Sequence, residues 1–172
     1  MHIEYVTRSI SMAKAKKTNV MRILDQHKIA YEEKILPDDY EVNHGEDIAL
    51  ALGIDPNKQF KTLVTQGKSK DYFVFLVPVN KELDLKAAAE SVNEKNVHMI
   101  PQKDLEPLTG YVHGGCSPIG MKKEFVTVID ESALNYESIT FSAGKRGFLL
   151  EAPVAPLKDV IKDLSYAPIM TD

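Results

Sequence analysis

Two runs of apolar and β-branched residues, Phe60–Thr65 and Tyr72–Val77, flank the polar stretch Gln66-Gly67-Lys68-Ser69-Lys70-Asp71. Each run has strand length and strand composition, and the stretch between them holds the small and polar residues that turns use. The pair therefore predicts a β-hairpin, which Pro78 ends because proline cannot continue a ladder of backbone hydrogen bonds. This hairpin commits the chain to a sheet.

The remaining elements are shorter. Thr18 or Asn19 can cap an amphipathic helix carrying Val20, Ile23, Leu24 and His27. Ile29–Ile35 alternates as a strand, and Pro37-Asp38-Asp39 reads as a turn. Glu46–Leu52 reads as a short helix stopped by Gly53. Asp84 is placed to cap a helix with Leu85, Ala88, Ala89 and Val92 on one face. Val97–Ile100 is a short strand, and Pro101 opens a helical turn through Leu105. Phe125–Ile129, Ser138–Ser142 and Phe148–Glu151 are strands, and Pro156 opens a last helix carrying Leu157, Val160, Ile161 and Leu164. Strands outnumber helices without a strict βαβ rhythm. The expected fold is α+β, a curved mixed sheet with helices around it. No repeat or linker divides the chain. A single domain over residues 17–172 is expected, with residues 1–16 as an N-terminal extension, a tag or an alternative start, since Met12 opens a plausible beginning of its own.

Composition excludes some classes of function. Of the 172 residues, 44% are hydrophobic and 27% charged, as in an ordinary globular protein. No apolar stretch approaches the roughly 18 residues that span a bilayer, so no membrane partner is expected. Cys116 is the sole cysteine, which rules out an internal disulfide. Met1–Ser11 lacks an apolar secretory core, so the expected compartment is the cytoplasm. The net charge of -4 argues against coating nucleic acid through bulk charge. It leaves room for local recognition of an RNA end by a few well-placed cations.

Three stretches stand out chemically. Lys61 interrupts the apolar strand Phe60-Lys61-Thr62-Leu63-Val64, where a lysine must either snorkel outward or face a polar cavity. Thr109–Gly120 holds four glycines and Pro118, so it is no regular element. Its glycines allow close backbone approach, and successive N–H groups can form an oxyanion- or anion-binding concavity. The stretch has neither Walker nor dinucleotide spacing. Ser142-Ala143-Gly144-Lys145-Arg146-Gly147 is a small basic loop between two strands, suited to a phosphate or nucleic-acid backbone. Each stretch also has a plain structural reading, as a strand-end lysine, a turn-rich loop and a tight hairpin. Cys116 lies in the glycine stretch, but its base would have to be His113 or a distant histidine, and no cysteine-hydrolase signature surrounds it. His2, His27, His44, His98 and His113 show no metal-ligand spacing, so no metal is expected. No Gly-x-Ser-x-Gly elbow occurs.

Taken in order, "FKTLV" at Phe60–Val64, "LDLKAAA" at Leu83–Ala89, "TGYVHGGCSPIG" at Thr109–Gly120 and "SAGKRG" at Ser142–Gly147 resemble the YbaK/EbsC family, relatives of the editing insertion domain of bacterial prolyl-tRNA synthetase. The likeness runs from about Lys17 to Leu164. It implies a highly curved, barrel-like mixed sheet and hydrolysis in trans of misacylated tRNA, typically cysteine on tRNA(Pro) and also Cys-tRNA(Cys). It implies that Lys61 is the catalytic anchor for the tRNA 3′ end or the aminoacyl ester. It further implies a substrate pocket walled by His44, Tyr111, Gly114, Gly115, Cys116, Ser117, Pro118 and Leu149 and edged by Ser142, Gly144, Lys145 and Arg146.

For cysteine-specific members the resemblance implies that the substrate's own thiol attacks its ester. The protein then needs no nucleophile and no cofactor, only orientation and oxyanion stabilisation. Cysteine and proline differ little in volume, and a pocket separates such pairs by only about 1–3 kcal/mol, so a second, editing site is the physical remedy. Three positions depart from the cysteine-specific pattern. His44 stands where a pocket aromatic is frequent, Leu149 where some members carry an acid, and Leu36 near a pocket tyrosine. The alternative substrate is alanine, cleaved through an ordered water, and the alternative class is a non-catalytic module that binds tRNA or a synthetase. The expected partners are the 3′ end of tRNA(Pro) and, transiently, prolyl-tRNA synthetase, with the chain a monomer or weak dimer.

Overall fold

The structure is a computed structural model that describes residues 17–37 and 45–171. The expected hairpin is its spine. Strand β2 (Phe60–Gly67) pairs antiparallel with β3 (Tyr72–Pro78), from Phe60 opposite Pro78 to Gln66 opposite Tyr72. From Phe73 to Pro78, β3 is buried throughout, so both of its faces must be covered. Val74 and Leu76 face one apolar core, and Phe73, Phe75 and Val77 face a second. The alternation of strand side chains thus divides one sequence run between two cores.

Around this spine the chain builds one five-stranded mixed sheet. Strand β5 (Val97–Met99) adds antiparallel to β2. Strand β6 (Val126–Asp130) adds parallel to β3, and β9 (Leu164–Ala167) adds parallel to β6. A second sheet has β1 (Glu32–Ile35), β8 (Phe148–Pro153) and β7 (Ser138–Lys145), all antiparallel and in that spatial order. A parallel bridge between Gln59 and Thr140 joins the two sheets. A short pair, β4 (Glu82–Leu83) with β10 (Met170–Thr171), ties down the C-terminal end. The fold is α+β, as expected. The barrel-like closure is not found among the described residues, because the five-stranded sheet ends at β5 and β9 and meets the second sheet at a single bridge.

The described helices are α1 (Asn19–Gln26), α2 (Gly45–Ala51), α3 (Leu85–Ser91) and α4 (Gln102–Thr109). Thr18 caps α1 by accepting a hydrogen bond from the Met21 amide at 3.3 Å. Val20, Met21 and Leu24 of α1 are buried in the first core, while His27 is exposed and not on the apolar face. Asp84 caps α3 through the Lys86 and Ala87 amides, each at 3.1 Å.

The last expected helix is a correction. Ala155–Asp159 forms only a 3-10 turn, and Leu164 begins β9. The apolar residues chosen for a helical face are used differently. Leu157 and Ile161 are buried in the first core, Asp163 takes a positive φ of 52° that breaks the run, and Leu164 pairs with Thr127 of β6. Sheet pairing over a short apolar run outweighs helical periodicity here. The turn expected at Asp38-Asp39 lies outside the described residues.

Candidate functional site

Strand β2 has β3 on one side along its whole length. On its other side β5 covers only Thr65–Gly67, and the bridge to β7 lies at Gln59. Between these two contacts, Lys61–Leu63 has no second strand neighbour among the described residues. An open cleft of about 1110 Å³ occupies this gap, and residues from both faces of β2 line it. Lys61 therefore faces the cleft, the second of its two sequence readings. Its ammonium sits 3.7 Å from the carboxylate of Glu82, with 29% of the Lys61 side chain and 82% of the Glu82 side chain exposed. An ion pair this wet is weak, so the ammonium remains available to an incoming anion.

The glycine stretch and the basic loop meet at the same cleft. Gly114, with φ of 85°, lies against the Arg146 side chain, since a β-carbon there would stand 3.3 Å from Arg146 Nε. A β-carbon at Gly115 would stand 2.8 Å from the Arg146 backbone nitrogen. Only hydrogen fits between these two backbones, which explains a glycine at a position with no unusual φ. The glycine stretch turns at Val112–Gly115, where the Gly115 amide donates to the Val112 carbonyl at 3.0 Å. The β7–β8 loop is shaped by a register shift between Ser142 and Lys145, and the Ser142 hydroxyl accepts from the Gly144 amide at 3.1 Å. Lys145 lays its ammonium 4.7 Å above the Phe148 ring. Apolar lining comes from Leu36, Ile48 of α2, Phe60, Val79 and Leu149.

Of the residues named from sequence, Lys61, Gly114, Cys116, Ser142, Lys145, Arg146 and Leu149 line the cleft, and so does Leu36. Tyr111, Gly115, Ser117, Pro118 and Gly144 lie behind this lining. Tyr111 donates its hydroxyl to the Ile119 carbonyl, and a β-carbon at Gly144 would stand 3.1 Å from its ring, so the tyrosine locks the glycine stretch to the basic loop. Burial pushes the Tyr111 hydroxyl up to about 12, with Cys116 adding to the shift, so it stays a neutral donor. Ser117 is fully buried and accepts from the Ile119 amide at 3.3 Å. His44 lies outside the described residues.

The cleft also holds residues that sequence reasoning did not select, among them Gln59, Thr62, Glu82 and Gln102, and it holds His113, weighed there only as a base for Cys116. Glu82 comes from a separate strand pair, and no local pattern ties it to Lys61. His113 carried a legible signal, since it sits inside the glycine stretch.

Cys116 is 8% exposed, and burial pushes its thiol up to about 12, partly opposed by a hydrogen bond from Thr109. A thiol held neutral at physiological pH is a poor nucleophile. Among the described residues no three His, Cys, Asp or Glu side chains gather as a metal-ligating group, and no helix is long and apolar enough to cross a membrane. The arrangement can hold an anionic end against Lys61, Lys145 and Arg146 while an uncharged group enters the apolar lining.

Residues 41–160 match the aminoacyl-tRNA editing domain family. A protein of Enterococcus faecalis (strain ATCC 700802 / V583), provisionally named Cys-tRNA(Pro)/Cys-tRNA(Cys) deacylase EbsC, is 48% identical over 150 residues, which cover 85% of this chain and 92% of that protein. A solved structure of a hypothetical protein aligns with a TM-score of 0.77 at 19% identity, over 90% of this chain and all of the other (100%). A second, provisionally described as a trans-editing enzyme for prolyl tRNA synthetase, aligns with a TM-score of 0.74 at 22% identity, over 90% of this chain and 99% of the other. At those identities the two solved structures speak to the fold alone.

Proposed function

The chain belongs to the aminoacyl-tRNA editing domain family, and from that premise we propose that it is a trans-editing deacylase that removes cysteine mischarged onto tRNA(Pro). The observation that carries this reading is the open cleft at the free edge of β2, where Lys61, the glycine stretch and the basic loop converge. Lys145 and Arg146 are exposed and suit the phosphates of an RNA 3′ end. Lys61 suits the ester, where its charge stabilises the oxyanion that forms as the carbonyl is attacked. The amino acid enters between Leu36, Ile48, Phe60 and Leu149.

Among the described residues the cleft offers no activated thiol, because Cys116 is held neutral. Cysteine brings its own. Its sulfur attacks the ester carbon, the carbon–oxygen bond to the ribose breaks, and a thiolactone leaves the free tRNA end behind. The protein's part is to hold thiol and ester in attacking geometry. Leu149 gives the lining an apolar wall, which favours a small uncharged side chain and keeps alanine as the second candidate, cleaved by water. Selection of the tRNA body falls to a transient complex with prolyl-tRNA synthetase. We read residues 17–172 as the single working domain, monomeric or weakly dimeric, acting in the cytoplasm.

The test follows ester loss from cysteinyl- and alanyl-tRNA(Pro) with the wild type and Lys61→Ala. Clearance of the cysteinyl ester, reduced about 10²-fold in Lys61→Ala with tRNA binding retained, is the expected result. Preferential clearance of alanine would move the specificity within the same family. A wild type that binds charged tRNA and releases no amino acid would overturn the enzymatic reading in favour of a binding module.

A further inference from the structure

We propose that His113 is a catalytic residue of this cleft, carrying the proton from the attacking thiol of the substrate to the departing ribose oxygen. The inference rests on the deacylase reading above and goes beyond it, since thiol attack by itself leaves the proton without a carrier. Transfer requires a group that lines the cleft, is accessible, lies near the ribose and can both accept and donate a proton.

His113 meets these conditions by its placement. It lines the cleft and is exposed. It occupies the corner of the Val112–Gly115 turn, followed by Gly114 with φ of 85°. That turn is braced against the basic loop, because Gly114 and Gly115 both pack on Arg146. An Arg146 that holds a terminal phosphate therefore puts the attached ribose beside residue 113. Imidazole is also the side chain used most often to take a proton from one reacting atom and give it to another. Among the described residues, the other titratable groups that face the cleft are Lys61, Glu46, Glu82, Cys116, Lys145 and Arg146. Glu46 and Glu82 are exposed carboxylates, Cys116 is buried, and the remaining three are cations with tasks toward anions.

The step balances. As the sulfur–carbon bond forms, the thiol proton passes to the imidazole. As the ester carbon–oxygen bond breaks, the imidazolium returns that proton to the ribose 3′ oxygen. The products are the thiolactone and a free 3′ hydroxyl, and the imidazole ends as it began.

Single-turnover cleavage of cysteinyl-tRNA(Pro) between pH 5 and 9 tests the proposal with the wild type, His113→Gln and His113→Ala. His113→Gln is expected to lower the maximal rate by about 10²-fold, leave tRNA affinity unchanged and flatten one limb of the pH profile. Added imidazole is expected to restore part of the rate to His113→Ala, which a merely structural role would not allow. A His113→Gln rate within threefold of wild type, or an unchanged pH limb, would overturn the proposal while leaving the deacylase reading intact. A wild type that releases no cysteine at any pH would overturn both.

Discussion

Replacing Gly115 by alanine tests how the site is held together. A β-carbon at residue 115 would stand 2.8 Å from the Arg146 nitrogen, 3.0 Å from the Lys145 carbonyl carbon and 3.2 Å from the Lys145 Cα. All three atoms are backbone, so no side-chain rotation relieves the clash. The glycine stretch and the basic loop must part by several tenths of an ångström. Overpacking of this kind costs about 1–3 kcal/mol. For a chain of this size that lowers the melting temperature by roughly 3–10 °C. The same displacement separates the two loops that line the cleft, and misplacement on the ångström scale can cost about 10²-fold in rate. The shift here is smaller, so cleavage of the cysteinyl ester is expected to fall about tenfold. Gly53→Ala is the control. Gly53 has φ of 67° with nothing within 4 Å of an added β-carbon, so its cost is conformational only, about 1–2 kcal/mol. It does not line the cleft. Thermal melts and deacylation rates of the two variants should therefore show similar stability losses and unequal activity losses. Equal activity in both would refute the claim that the contact between these loops sets the site.

Three further outcomes follow from particular contacts. Cys116→Ala should keep deacylation within about threefold of wild type, and iodoacetamide should label native Cys116 far more slowly than free cysteine at pH 8, because its thiol ionises only near pH 12. Donation from the Ser138 hydroxyl, followed by the nearby Lys58 and Lys34 ammoniums, holds the Glu151 carboxyl below its ordinary value near 4.5. A depressed folded value means stability that is complete above the unfolded value and lost as pH falls through the folded one. Melts between pH 3 and 7 should therefore show a smaller acid-side loss in Glu151→Gln than in wild type. Asp84→Ala removes both hydrogen bonds that cap α3 and should cost about 1 kcal/mol, or roughly 2–4 °C of melting temperature, with an unchanged deacylation rate because α3 does not line the cleft.

The hairpin, the cap at Asp84, a cap at Thr18 or Asn19, and the mixed α+β character were legible in the sequence because each is a local matter. Strand composition, a polar turn and a capping side chain act within a few residues of one another. Cleft-lining positions such as Lys61, Gly114 and Arg146 were legible because a charge in an apolar strand and a run of glycines violate local rules, and such violations have to be accommodated somewhere. The last helix was misread for the opposite reason. Residues 157–164 carry a helical spacing, yet Leu164 reaches an open edge of β6, and sheet pairing with a strand more than thirty residues earlier is invisible to local periodicity.

Tertiary structure alone decided which named residues face the cleft. Tyr111, Gly115, Ser117 and Gly144 share motifs with the cleft residues, yet they lie behind the lining and hold the two loops in register. It also placed Glu82 beside Lys61 and, among the described residues, left the edge of β2 open between β5 and β7. A sequence records which residues are chemically capable. The facing of each one depends on where strands end and which backbones touch, and those contacts join segments far apart in the chain.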